Sequence, residues 1–187
     1  RTFRTYGLPR AIRTDNGVPF ATSGIHGLSQ LNVWWMRLGI QHQRIHPGRP
    51  QQNGAHERMH KTLKRGAIRP PRADAPAQQR AFNRFRTEYN EERPHDALGG
   101  RTPASRYRPA SRSYPRVLPP QEYPGHFLVK KITTGGTFRF QRRLLFIANS
   151  LTNHHIGLEE TDDGIWSIYF NTVLLAKLDE RDYIIRG

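Results

Sequence analysis

Residues 46–64 read His-Pro-Gly-Arg-Pro-Gln-Gln-Asn-Gly-Ala-His-Glu-Arg-Met-His-Lys-Thr-Leu-Lys. The Pro and Gly residues at the start of this stretch interrupt regular structure, and the residues after them predict a helix over about 52–66. A carboxylate begins a row of cationic or titratable side chains at helical spacing: Glu57, His60, Lys61 and Lys64. Asn53 lies one turn earlier. The row suits a phosphodiester backbone, although a solvated helix face with ordinary Glu–Lys pairs explains it equally well.

Upstream of this helix, the chain alternates between strand and helix patterns. Residues 9–14 predict a strand that ends at the turn Asp15-Asn16-Gly17. Ser29 is the predicted N-cap of a helix, and residues 40–45 predict a second strand. Apolar side chains recur at helical spacing between them: Leu31, Trp34, Trp35 and Leu38. We expect the two tryptophans to be core residues rather than platforms for nucleic-acid bases.

Downstream, residues 77–92 predict a further helix, so the first region is α/β. Residues 111–125 are rich in Pro and predict a semi-rigid linker. Short β-branched or aromatic runs separated by hairpin turns follow, at 126–133, 137–141, 144–148, 156–160, 165–170 and 172–177. They predict a small antiparallel barrel. We therefore expect three parts, over 1–110, 111–125 and 126–187.

The charge is strongly basic and unevenly distributed. Lys and Arg number 30 against 15 Asp and Glu, and the formal charge of +15 predicts a polyanionic partner. The whole excess lies in residues 1–120, with 22 basic and 7 acidic side chains, whereas residues 121–187 hold 8 of each. The chain has no Cys, which excludes disulfides and cysteine-ligated zinc. No apolar run is long enough for a membrane span, so we expect no membrane partner.

Asp15 and Glu57 are the two candidate catalytic acids. A carboxylate at the end of a strand and another near the start of a helix can converge at one edge of an α/β sheet. Paired carboxylates in a basic surface suit phosphoryl transfer assisted by Mg²⁺, which prefers oxygen ligands. Each acid also has an ordinary explanation, since Asp is a common turn residue and Glu favours the start of a helix.

The histidines offer an alternative metal site. They form two pairs at i,i+4 spacing: His42 with His46, and His56 with His60. The first pair lies on a predicted strand, where that spacing separates the side chains by more than about 12 Å. Neither Cys nor a cluster of carboxylates completes the site. Zinc is therefore the less favoured interpretation.

Three motifs in order resemble the integrase core of DDE transposases and retroviral integrases. They are Arg-Thr-Asp-Asn-Gly-Val-Pro-Phe (13–20), the stretch 46–64 quoted above, and Tyr-Asn-Glu-Glu-Arg-Pro-His-Asp-Ala-Leu (89–98) with Thr102-Pro103. The resemblance covers roughly residues 1–110. The tail, with Gly-Thr-Phe-Arg-Phe (136–140) and Gly-Ile-Trp-Ser-Ile-Tyr-Phe (164–170), resembles the small SH3-like domain that ends bacterial insertion-sequence transposases of the 481 group.

The resemblance implies an RNase H-like fold in which three acids bind two Mg²⁺ or Mn²⁺ ions. Asp15 matches the second acid and Glu57 the third. The implied reaction is hydrolysis of a phosphodiester, followed by attack of the freed 3′-hydroxyl on target DNA. Candidate DNA contacts on the acidic helix and the loop before it are Asn53, His60, Lys61, Lys64 and Arg65. The implied partners are double-stranded DNA, both element ends and target, and further copies of the chain, in the bacterial cytoplasm at the nucleoid.

Two departures from the family pattern matter. The family's first Asp lies on an opening strand several dozen residues before the second, but only 14 residues precede Asp15, and none is acidic. We therefore expect a truncated core that binds duplex DNA without cutting or joining it. In addition, 41 residues separate Asp15 from Glu57, more than is common, and we expect the extra length in the loop Ala21–Leu28.

Two other functions remain open. The first is a non-catalytic DNA-binding or assembly remnant of a transposase. The second is an RNA-binding module, which is less favoured because no RNP-type strand motif or KH loop is present.

Overall fold

The structure, a computed structural model, describes residues 1–22 and 27–187. The chain forms two compact units, residues 1–45 with 112–187, and residues 46–111. This grouping places residues 112–125 in the first unit, and the predicted division into core, linker and barrel stays a prediction. Of the loop Ala21–Leu28, in which the extra length is expected, residues 23–26 lie outside the described residues.

The first unit begins with the predicted strand–helix–strand pattern. Its elements are α1 (Thr2–Tyr6), β1 (Ala11–Thr14), α2 (Gln30–Arg37) and β2 (Gln41–Arg44). The two strands pair in parallel, with Thr14 opposite Arg44. Ser29 caps α2 as predicted, because its side chain accepts a hydrogen bond from the Asn32 amide while the Asn32 side chain accepts one from the Ser29 amide. The sequence pattern did not predict α1.

An apolar cluster packs α2 against the two parallel strands. Its buried members are Leu8, Trp35, Leu38 and Ile40. Trp34 is half-buried, and its ring stacks on Phe3 at 5.3 Å between centroids. The prediction that both tryptophans pack into the protein is therefore confirmed.

The Pro-rich segment after residue 111 packs onto this part of the first unit. The Arg112 guanidinium donates hydrogen bonds to the carbonyls of Leu38, Gly39 and Pro9. Two of these carbonyls lie at the C-terminal end of α2, where backbone acceptors lack helical partners and a cation is favourable. Tyr114 and Leu118 pack against the apolar cluster.

The tail forms seven antiparallel strands, one more than the pattern predicted. They are β3 (Leu128–Lys131), β4 (Thr137–Phe140), β5 (Arg143–Phe146), β6 (His155–Asp162), β7 (Ile165–Phe170), β8 (Val173–Asp179) and β9 (Ile184–Arg186). Five of them form one sheet in the order β3-β6-β7-β8-β9, while β4 and β5 form a separate hairpin. The all-β character of the tail is confirmed, and its SH3-like identity stays a prediction.

The hydrophobic core of the tail lies between the sheet and the hairpin. Phe138 and Phe140 of β4 are buried there together with residues of β6, β7 and β8. Leu28, Val33 and Met36 belong to the same cluster, so α2 contributes to this core as well. In addition, the Asn171 side chain donates a hydrogen bond to the Met36 carbonyl at 3.1 Å.

The second unit consists of short helices. They are α3 (Gly54–Leu63), α4 (Ala75–Thr87) and α5 (Pro103–Arg106). A 3₁₀ turn over Pro50–Asn53 precedes α3, and wider π-helical turns over Lys64–Ile68 and Glu88–Glu92 extend α3 and α4. The predicted helices 52–66 and 77–92 are therefore confirmed. Within residues 1–22 and 27–187, no helix has the length and apolar character that crossing a membrane requires.

Contacts between α4 and the turn after α3 hold these helices together. Gly66 permits this approach, since a Cβ atom there would lie 3.1 Å from Cδ2 of Phe85. Gln78 donates a hydrogen bond to the carbonyl of buried Ala67 at 2.6 Å, which satisfies an acceptor at the end of α3. Further along, His95 lies against the Tyr89 ring and pairs its amide with the Arg101 carbonyl.

Candidate functional site

Asp15 directly follows β1 and is exposed to solvent. Its Oδ1 accepts a hydrogen bond from the Gly17 amide at 3.0 Å, an Asx turn of the kind expected for a turn residue. No described side chain forms an ion pair with it. Asn16 donates from its side chain to the Ile45 carbonyl at 3.0 Å and so ties the turn to the end of β2. The carboxylate therefore stands at a fixed position with its second oxygen available.

A chain of polar contacts lies behind Asp15. The Thr14 hydroxyl donates to the Asp15 carbonyl at 2.8 Å, and it lies 2.8 Å from Nε2 of His42. On the other side of the imidazole, Nδ2 of Asn32 lies 3.1 Å from Nδ1. Asn32 is 1% exposed and accepts from the amide and hydroxyl of Ser29, so the chain runs from the N-cap of α2 to the strand end.

The donors and acceptors of this chain fix the form of His42. The Thr14 hydroxyl already donates its hydrogen to the Asp15 carbonyl, so it accepts a hydrogen bond from Nε2–H of His42. The other ring nitrogen, Nδ1, accepts from Nδ2 of the Asn32 side chain. The imidazole is therefore neutral in this arrangement. Burial, and after it the positive charge of Arg44, lowers the pKa of His42, which favours the same form.

Glu57 lies in the first turn of α3 and is exposed. The other predicted DNA contacts on this helix and its extension are also exposed: His60, Lys61, Lys64 and Arg65. Asn53 is half-buried just before α3. Met59 and Leu63 are half-buried on another face. In the part of the chain that the structure describes, Glu57 forms no ion pair with Lys61, four residues later, or with Lys64.

The described residues contain no group of three His, Cys, Asp or Glu side chains that could hold a metal ion. The His56 and His60 rings pack together at 4.2 Å between centroids. Both ring nitrogens of His42 lie within hydrogen-bond distance of protein side chains, so this histidine is part of a hydrogen-bond network. Carboxylate oxygens such as those of Asp15 and Glu57 are donors of the kind that a hard cation prefers.

The structure describes the predicted site residues in two separate units. Asp15 belongs to residues 1–45 of the first unit, and the acidic helix belongs to the second. The shared site of Asp15 and Glu57 therefore stays a prediction. Sequence reasoning missed the role of Thr14, Asn32 and His42 behind Asp15. Only the Ser29 N-cap signal pointed toward that network.

Residues 38–103 match the family described as "Integrase core domain". The matched segment contains β2, α3 and α4, and therefore Glu57 and its row of cations, but it begins after Asp15.

Curated relatives include two proteins of insertion elements. The chain is 33% identical over 99 residues to the "Insertion element IS476 uncharacterized 39.2 kDa protein" of Xanthomonas euvesicatoria, which covers 52% of this chain and 27% of the relative. It is 30% identical over 105 residues to the "Insertion element IS407 uncharacterized 31.7 kDa protein" of Burkholderia multivorans, 56% of this chain and 36% of the relative. A third relative is the "Uncharacterized protein K02A2.6" of Caenorhabditis elegans, 34% identical over 102 residues, 54% of this chain and 7% of the relative. The chain thus spans about a third or less of the length of these relatives.

Among solved structures, the chain is similar to a chain of the simian T-cell lymphotropic virus intasome, determined by cryo-electron microscopy in complex with PP2A regulatory subunit B56 gamma. The sequence identity is 17% and the TM-score 0.43, and the match covers 92% of this chain and 59% of the other.

Proposed function

We propose that this protein acts on double-stranded DNA in transposition or integration, because residues 38–103 match the family described as "Integrase core domain". For an enzyme with all three acids the proposed reaction is metal-dependent hydrolysis of a phosphodiester followed by strand transfer, and for residues 1–187, which contain Asp15 and Glu57, we propose binding to duplex DNA without joining it. The observation that carries the proposal is the integrase-core match over a helix on which Glu57 and the cations Lys61, Lys64 and Arg65 are exposed. The assembly proposed for this reaction is a multimer on DNA.

We propose Asp15 and Glu57 as ligands for Mg²⁺ or Mn²⁺. Both are exposed carboxylates without an ion-pair partner in the described chain, and oxygen donors of this kind suit hard cations. When bound, such an ion lowers the pKa of an attacking oxygen and stabilises the leaving one. The network through Thr14 and His42 holds the backbone carbonyl of Asp15. These contacts hold the turn that carries the Asp15 carboxylate in one position.

We propose the cations of α3 and its extension as contacts to DNA phosphates. Lys61, Lys64 and Arg65 are exposed, and charged side chains that neutralise phosphates release condensed counterions. Asn53 and His60 supply polar groups at the same surface. Such contacts position the duplex and carry no base specificity.

The DNA proposal is tested with the double variant Lys61→Gln, Lys64→Gln. The control is the double variant Lys130→Gln, Lys131→Gln, which also removes two positive charges, but from β3 in the tail. Affinity for a labelled duplex is measured against salt concentration. We expect the α3 variant to reduce the slope of log affinity against log salt by about 1.8, because each phosphate contact contributes about 0.9.

We expect the control to leave the slope close to that of the wild type. An equal loss in both variants would assign the binding to net charge and contradict the α3 surface. DNA binding that is insensitive to Mg²⁺ and Mn²⁺, both in the wild type and in the Asp15→Asn and Glu57→Gln variants, would support the non-catalytic remnant instead.

A further inference from the structure

In the described residues, β5 pairs with β4 along one edge, and its other edge is open. In an antiparallel pair, every second residue directs its N–H and C=O away from its partner strand. Apart from the pairing with β4, no backbone hydrogen bond joins residues 143–146 to any part of the chain that the structure describes. Natural sheets protect such edges with short strands, charged side chains, especially Lys, Pro, a bulge or a covering segment. The strand Arg143-Leu144-Leu145-Phe146 is four residues long and begins with a charged residue, but it contains neither Lys nor Pro.

Two large apolar side chains stand beside this edge. Leu144 is 58% exposed and Phe146 is 55% exposed, although β5 belongs to a well-packed hairpin. They alternate with Leu145, which is half-buried and packs against the core, so both point to the same outer face. Apolar side chains next to open backbone groups are the features that strand addition uses for affinity and for side-chain selection.

The hairpin is also locally cationic, although residues 121–187 carry no net charge. Arg139, Arg142 and Arg143 are exposed, and none of them forms an ion pair with a carboxylate in the described chain. Arg143 stacks over the Tyr183 ring at 4.3 Å, and Arg142 precedes the strand in the turn. The nearby carboxylate of Glu180 accepts hydrogen bonds from Trp166 and Gln141. A second copy of this hairpin would bring like charges together, whereas an acidic partner complements them.

We infer that the β5 edge is a docking site for an extended segment of a partner protein that has apolar side chains at alternate positions and acidic residues at its ends. The apolar side chains cover Leu144 and Phe146. The acidic residues lie beside Arg142 and Arg143. A peptide strand supplies both donors and acceptors to the open edge, whereas DNA phosphates only accept hydrogen bonds, which is why a peptide fits this surface better.

The probe for this site is the blocked peptide Glu-Glu-Val-Thr-Val-Thr-Val-Glu-Glu, whose acidic ends allow either strand direction. The full chain is titrated with it, and binding is followed by fluorescence anisotropy and by backbone amide NMR shifts. We expect the shifts to centre on residues 143–146. We expect at least a tenfold loss of affinity, about 1.4 kcal/mol, when the Val-Thr run is N-methylated and can no longer donate. Replacing the four Glu residues by Lys should weaken binding as well.

A matched pair of protein variants tests the surface. Leu144→Thr with Phe146→Thr should weaken the peptide about tenfold or more. Val173→Thr with Leu174→Thr removes two similarly exposed side chains from β8 and should leave affinity within about twofold. Thermal unfolding of each variant shows that the fold is retained.

Three results would overturn the inference. The first is no binding of the acidic peptide at about 1 mM. The second is equal binding of the N-methylated or Lys peptide. The third is a labelled DNA duplex that shifts the amides of 143–146 and displaces the peptide, because it would assign this surface to nucleic acid.

Discussion

The His42 imidazole lies 2.8 Å from the Thr14 hydroxyl and joins neighbouring strands directly behind Asp15. The same hydroxyl holds the Asp15 carbonyl, so the strand end is fixed by a side chain rather than by the sheet alone. Since Thr14 is 6% exposed, loss of this contact leaves a donor of the imidazole without a partner.

We predict that Thr14→Val destabilises the chain by about 1–2 kcal/mol, because it keeps the shape of the side chain and removes the hydroxyl. Thr14→Ser keeps the hydroxyl and should cost less. Urea unfolding with an unchanged m-value measures both. A valine variant as stable as the wild type would mean that the network contributes nothing.

We predict that the free energy of unfolding decreases as the pH is lowered below neutrality. The pKa of His42 is lowered in the folded chain from its ordinary value of 6.5, so the unfolded chain binds the proton more readily. The stabilisation is fully present above about pH 6.5 and is lost as the pH falls through the lower, folded value. Unfolding free energies measured from pH 7.5 to 5 should therefore decrease.

The control for this pH dependence is His42→Gln, which should reduce the decrease. Some dependence should remain, because burial, Arg37 and His155 also lower the pKa of His154. An unchanged slope in the Gln variant would contradict the assignment to His42.

Arg112 should be a major contributor to stability in the Pro-rich segment. We predict that Arg112→Met costs about 2–3 kcal/mol, because three carbonyls at the end of α2 and before β1 lose a charged donor. Arg116→Met, at an exposed position in the same segment, should stay within about 0.5 kcal/mol of the wild type. Chemical denaturation compares them. Equal effects would show that the Arg112 contacts are not formed in solution.

Gly157 in β6 should not tolerate a side chain. A Cβ atom there would lie 2.4 Å from Cδ1 of Tyr123 and 2.7 Å from Cδ2 of Phe127. The Tyr123 ring has little freedom to move, because its hydroxyl donates to the His155 carbonyl at 2.8 Å. We predict that Gly157→Ala costs about 1–3 kcal/mol through overpacking. Gly125→Ala meets no atom within 4 Å and is the control in the same melting experiment.

Local patterns predicted the elements whose signals are local. Ser29 before an apolar helix predicted the start of α2, and the turn at Asp15 predicted the end of β1. The short β runs predicted the all-β tail. Its seventh strand, Ile184–Arg186, was missed because three residues are too few for an alternating pattern.

Contacts between distant residues could not be predicted. The carbonyls that Arg112 binds come from Pro9, Leu38 and Gly39, and no local pattern relates them to an arginine in a Pro-rich segment. In the same way, the strand spacing of His42 and His46 argued against a metal site, but it did not indicate that the partners of His42 are Thr14 and Asn32. The candidate acids were found because the end of a strand and the start of a helix have local sequence signals. No local signal gives the distance between Asp15 and Glu57.

The most direct test of the central claim is whether Asp15 and Glu57 bind one ion together. Mn²⁺ is added to the full ¹⁵N-labelled chain, and paramagnetic broadening is measured at the amides of Gly17 and Arg58, next to the two acids. If the ion is shared, it broadens both signals, and Asp15→Asn or Glu57→Gln alone restores both. If each substitution restores only the signal beside it, or if Mn²⁺ broadens neither, the two carboxylates do not form a common site.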